Sequence, residues 1–132
     1  MASTIHFDQP EAANMKKTVE IRTYNLKPGS RARFARIATE TVMPMLARWG
    51  TEVVRHGPSE HDQDSYFLIR AYASLEDRQQ RQDAFYGSDE WKLGPRNSVL
   101  ELIENFTSLV LELDAATLAG LRCEAKQEEG QA

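Results

Sequence analysis

Two arginines and three tyrosines fall at alternate positions of two strand-like segments. In Thr18–Leu26 (TVEIRTYNL), Glu20, Arg22, Tyr24 and Leu26 share one side, with Val19, Ile21 and Thr23 on the other. In Ser65–Ala73 (SYFLIRAYA), Tyr66, Leu68, Arg70 and Tyr72 share a side, opposite Phe67, Ile69, Ala71 and Ala73. Brought onto one sheet face, Arg22 and Arg70 would be fixed cations, and Tyr24, Tyr66 and Tyr72 hydroxyl donors. A guanidinium grips a carboxylate or enolate through two parallel hydrogen bonds. Donors aimed at developing negative charge stabilise a transition state. The pattern suits a pocket for a small, flat or aromatic anion. It suits a packed dimer interface as well, with Glu20 paired to Arg22 or Arg70 and the tyrosines as packing.

His56 is the next candidate, because an imidazole titrates near neutrality and can serve as a general base. It stands at the end of a short strand-like segment, Thr51–His56, where a solvent-facing role is the simpler expectation. Phe85, Tyr86 and Trp91 bracket a loop and, with Arg96, could line the mouth of a pocket; they could equally anchor that loop to the sheet. His56, Glu60, His61, Asp62 and Asp64 form a dense set of possible ligands, but their spacing matches no structural zinc pattern. The expectation is a solvated turn with no metal. Cys123 is the single cysteine and has no nucleophile context.

The 132 residues suffice for one domain, and no apolar run approaches the ~20 residues of a membrane span. Sixteen Lys and Arg against twenty Asp and Glu give a net charge of −4, a poor footprint for nucleic acid. No secretory signal stands at the N-terminus, so a cytoplasmic protein is expected. Residues 1–17 read as a mobile arm, 18–114 as the folded domain, and 115–132 as a C-terminal extension, weakly helical and then polar.

Pro28-Gly29 turns the chain after the first strand, and Ser30 is placed to cap a helix. Phe34, Ile37, Ala38, Thr41, Met45 and Trp49 recur at helical spacing and predict a core-facing stripe, with Gly50 as the stop. Pro44 lies inside that helix and predicts a kink near Val42–Pro44. Ser74, with Asp77 three residues on, opens a second helix, Leu75–Phe85, with a thin apolar stripe of Leu75, Ala84 and Phe85. Gly94-Pro95 opens a short third helix to about Glu104, and Phe106–Leu113 is the last strand.

Strand, helix, strand, strand, helix, strand is the βαββαβ order of a ferredoxin-like sandwich, a four-stranded antiparallel sheet with helices on one face. Val19, Ile21, Phe67, Ile69 and Ala71 suit the helix-covered face. The tyrosine and arginine side is then left bare, and two such sheets stacked as a C2 homodimer would bury it.

The run Val19-Glu20-Ile21-Arg22-Thr23-Tyr24-x-Leu26-x-Pro28-Gly29, the mid-helix Pro44, Tyr72-x-Ser74-Leu75-Glu76-Asp77-Arg78 and Glu90-Trp91 resemble the NIPSNAP family over about Thr18–Leu113. The resemblance implies a dimeric α/β barrel. That superfamily includes cofactor-free monooxygenases, haem-handling proteins, small isomerases and dehydratases. It brings no catalytic motif to this chain. The expected activity is binding of a small anionic organic ligand in a sheet-face pocket, without a tightly bound cofactor, and with oxygenation, isomerisation or elimination as the chemistry open to it. Arg22, Arg70, Tyr66, Trp91 and Arg96 would bind the ligand, and Tyr24, Tyr72 and His56 would handle protons. His56 would also be the axial candidate for haem. The alternative is a non-catalytic interaction or ligand-sensing protein whose sheet face serves only dimerisation.

Overall fold

A computed structural model describes residues 14–122. The β-branched run of the first strand pairs on both of its edges, and β1 spans Lys16–Leu26. Its start at Lys16 takes two residues from the expected arm; residues 1–13 lie outside the described ones. α1 (Arg31–Ile37), a π-helical turn (Ala38–Val42) and α2 (Met43–Arg48) follow as one continuous helix. β2 (Glu52–Pro58) and β3 (Ser65–Tyr72) form a hairpin. Then come α3 (Leu75–Tyr86), α4 (Asp89–Leu93), α5 (Arg96–Leu100), β4 (Ile103–Asp114) and a terminal helix α6, residues 115–122. The sheet order is β2-β3-β1-β4 with every pair antiparallel, which is the ferredoxin-like order.

The π-helical turn is the irregularity that Pro44 foretold. Proline has no N–H to donate, and the chain accommodates it by widening the turn just before it. One extra residue rotates everything downstream around the helix axis. The expected stripe therefore breaks: Phe34, Ala38, Met45 and Leu46 are buried, Thr41 is exposed, and Trp49 is 37% exposed. Trp49 instead donates from Nε1 to Glu90 at 2.8 Å. Ser30 precedes α1 without a side-chain cap bond, whereas Ser74 caps α3 as expected. The Ser74 hydroxyl accepts from the Asp77 amide at 3.0 Å, and Asp77 accepts in return from the Ala73 amide at 3.0 Å.

The two sheet faces are the reverse of the expectation. Tyr24, Leu26, Tyr66 and Leu68 pack with Phe34, Ala38, Met45, Leu46, Phe85, Trp91 and Val99, so the helices cover the tyrosine and arginine face. Val19, Val54, Ile69 and Ala71 lie on the opposite face, where α6 covers them through Leu118. Asp114 caps α6 by accepting from the Thr117 amide at 2.8 Å, and Arg122 pairs with Glu52. Among the described residues no further helix covers the rest of that face, around Ile21, Phe67 and Leu111, and Leu109 is 60% exposed. The physical reason lies in α3. Its sheet-facing residues, Arg78, Gln82 and Tyr86, are spaced four apart and reach Glu20 and Arg70. Of the expected stripe only Phe85 is buried, and Leu75 and Ala84 are exposed. A helix with a polar inner stripe requires a polar sheet face beneath it.

β4 is longer than expected and begins at Ile103, so α5 ends earlier, at Leu100. Residues 123–132 lie outside the described ones.

Candidate functional site

Glu20 sits under α3 with no exposed surface, and the groups around it are cationic. Its Oε2 accepts from Arg22 Nε at 3.0 Å and from Ser108 Oγ at 2.5 Å. Its Oε1 accepts from Arg70 Nη2 at 3.2 Å, from Arg78 Nε at 3.1 Å, and from the Gln82 amide. Burial by itself raises the Glu20 carboxyl, but Arg70, Ser108, Arg22 and Gln82 together outweigh it and bring the pKa down to about 2. One carboxylate thus faces three guanidiniums, and the cluster keeps a surplus of positive charge in a region with little water to screen it.

A cavity of about 330 Å³ opens beside this cluster, between β1, β4 and the helices α3 to α5. Arg22, Tyr24, Gln82 and Tyr86 form its polar side, Arg96 stands at it as a further cation, and Trp91, Val99, Leu100, Ile103 and Phe106 form its apolar walls. The Arg22 guanidinium lies 4.5 Å from the centre of the Phe106 ring, which holds the cation in place over a π face. Arg96 is exposed and donates to Asn97 at 3.2 Å. Tyr86 accepts from Arg70 Nη1 at 2.9 Å. Burial and the neighbouring Tyr86 push the Tyr24 phenol up to about 12 against the pull of Arg22 and Arg70, so Tyr24 stays protonated at neutral pH. It is a hydrogen-bond donor there and not a base.

The anticipated residues divide. Arg22, Tyr24, Trp91 and Arg96 line the cavity, while Arg70 acts from behind it through Tyr86 and Glu20. Tyr72 is buried, and its hydroxyl accepts from Gln82 at 3.1 Å. Tyr66 packs edge-on to Phe34 at 5.1 Å, and its hydroxyl meets His56 Nδ1 at 2.7 Å. Burial lowers the His56 pKa. His56 belongs to β2, and β3 stands between that strand and β1. The structure therefore does not bring His56, Tyr66 or Tyr72 into the cavity lining.

Within 59–65, His61 pairs with Ser59 at 3.0 Å and Asp62 accepts from the Asp64 amide at 2.7 Å, bonds that shape the turn itself. Five lining residues were not among the sequence candidates for the site: Gln82, Val99, Leu100, Ile103 and Phe106. The spacing of Arg78, Gln82 and Tyr86 was the available signal for the first of them.

A four-stranded antiparallel sheet in this order, α1 to α5 on one face with α6 on the other, and a cavity between sheet and helix layer define a ferredoxin-like α+β protein. The NIPSNAP family model matches residues 19–116. The chain belongs to the NIPSNAP family. A NIPSNAP family protein of Agrobacterium tumefaciens superposes with a TM-score of 0.69 at 19% identity, covering 78% of this chain and 90% of that one. A second from the same organism, described as having unknown function, gives 0.67 at 24% identity, over 74% and 88%. A putative antibiotic biosynthesis monooxygenase of Nitrosomonas europaea gives 0.55 at 16% identity, over 71% and 95%. At these identities the likeness is one of fold. No curated protein matches the chain. Among the described residues, no helix is long and apolar enough to cross a membrane.

Proposed function

We propose that this NIPSNAP protein binds a small organic carboxylate in the Arg22 cavity and does so as a homodimer. The observation that carries the reading is the surplus of guanidinium charge around Glu20, set beside apolar walls in one cavity of about 330 Å³. A carboxylate on Arg22 and Arg96 would balance that charge, and an aromatic or aliphatic body would cover Trp91, Val99 and Phe106. Tyr24 and Tyr86 then stand as hydroxyl groups at the ligand. Tyr24, kept protonated, can stabilise an enolate or phenolate by donation, which cofactor-free oxygenation, isomerisation or elimination would each use. Ligand sensing without turnover needs the same cavity and no proton transfer.

The homodimer reading rests on the sheet face opposite the cavity. Leu109 is exposed there beside Ile21, Phe67 and Leu111, and a second copy related by a two-fold axis would cover them. Native mass spectrometry of fresh protein, with benzoate titrated in, tests both parts. The expected result is a dimer that takes one benzoate per protomer, weakened about tenfold or more by Arg22→Gln and several-fold by Arg96→Gln. Binding that ignores both substitutions contradicts the site, and a monomer contradicts the dimer.

A further inference from the structure

Behind the cavity lies a second void of about 30 Å³, lined mostly by apolar residues of the helix layer, with Leu68 of β3, Tyr24 of β1 and Tyr86 of α3. Tyr24, Tyr86, Trp91 and Val99 line both spaces, so the two adjoin across a wall of four side chains. The inner void lies under the widened turn: Ala38 and Val42, its first and last residues, are both in the lining. A regular α-helix would place different side chains over Leu68, and the small Ala38 leaves room where a larger residue would fill it. A mostly apolar void of this size, left empty, costs about 1 kcal/mol in lost contacts. The charged and amide groups, Arg22, Gln82 and Arg96, line only the outer cavity, and the Tyr24 and Tyr86 side chains stand at the boundary between the two.

We propose that the inner void is a specificity pocket for the apolar end of the ligand. The preferred substrate class is then an arene or short-chain carboxylate with an alkyl tip. The carboxylate stays at Arg22, the body lies along Trp91 and Val99, and the tip enters beneath the π-helical turn. The inference rests on the anion-binding reading above and adds the direction and length of the ligand. The void has room for about one or two methyl-sized groups.

The test is a calorimetric series of benzoate and its para-methyl, ethyl, propyl and butyl derivatives, against the wild type, Ala38→Leu and Val42→Ala. In the wild type, affinity should rise about fourfold for each of the first carbons and then fall once the void is full. Ala38→Leu should abolish that gain while leaving benzoate itself bound as before. Val42→Ala enlarges the void and should move the optimum to a longer tip; it creates space and so keeps the test open if Ala38→Leu does not fold. A series that is flat, or an optimum unmoved by Val42→Ala, with benzoate still bound at Arg22, overturns the specificity pocket alone. Failure of every member to bind overturns the carboxylate site and the pocket with it.

Discussion

The Tyr86 hydroxyl accepts a hydrogen bond from Arg70 Nη1 at 2.9 Å, and this bond ties the cavity wall to the ion network behind it. Arg70 has no exposed surface, so a donor deprived of its acceptor there finds no bulk water. Tyr86→Phe should cost about 1–3 kcal/mol of stability, read from urea unfolding. The same substitution should weaken benzoate several-fold. Unchanged stability would mean that Arg70 does not depend on Tyr86.

Glu20 makes stability depend on acid. Its folded pKa, about 2, lies below the ordinary carboxyl value of 4.5, so the unfolded chain binds the proton first. The stabilisation is therefore complete above pH 4.5 and is lost as pH falls towards 2. Its size is on the order of 3 kcal/mol. Glu20→Gln should remove this acid dependence and lower stability at neutral pH by about 3–5 kcal/mol, because buried guanidiniums lose their counter-charge. Chemical unfolding at several pH values would show both effects, and equal acid slopes in the two proteins would contradict them.

His56 should titrate below 6.5, since burial disfavours the imidazolium. A histidine with a depressed pKa contributes stability above its unfolded value and loses it as pH drops through the folded one. NMR titration of the ring protons reads this directly, and a midpoint at or above 6.5 would refute it. His56→Ala should leave benzoate affinity unchanged, because the residue stands on β2 away from the cavity lining.

Leu109→Asp places a charge on the sheet face opposite the cavity, at a residue that is 60% exposed. Light scattering should find this variant monomeric where the wild type is a dimer, and each monomer should keep its benzoate site. A variant that stays dimeric would move the interface elsewhere.

Strand order and helix starts were legible because they rest on local chemistry. Alternation in VEIRTY and SYFLIRAY, the Ser74–Asp77 cap and the Gly turns with φ of 80° and 85° at Gly29 and Gly50 each act within a few residues. The inward face was not legible from the strands, because both of their sides carry large residues. Assigning apolar residues to the helix layer put Val19 and Ile69 inside, whereas the polar stripe Arg78–Gln82–Tyr86 pointed the other way. Trp49 was misplaced for a different reason. The π-helical turn shifts helical phase by a residue, and periodicity counted through Pro44 carries that error downstream. Phe106 enters the site through its register with Tyr24, a long-range pairing that no local pattern contains.

The most direct test of the account is the anomalous diffraction of a crystal of this protein soaked in para-bromobenzoate. The bromine should appear as a peak beyond Trp91 and Val99, towards Ala38 and Val42, with the carboxylate on Arg22. Bromine found only elsewhere on the surface, or absent from the cavity at saturating ligand, would contradict it.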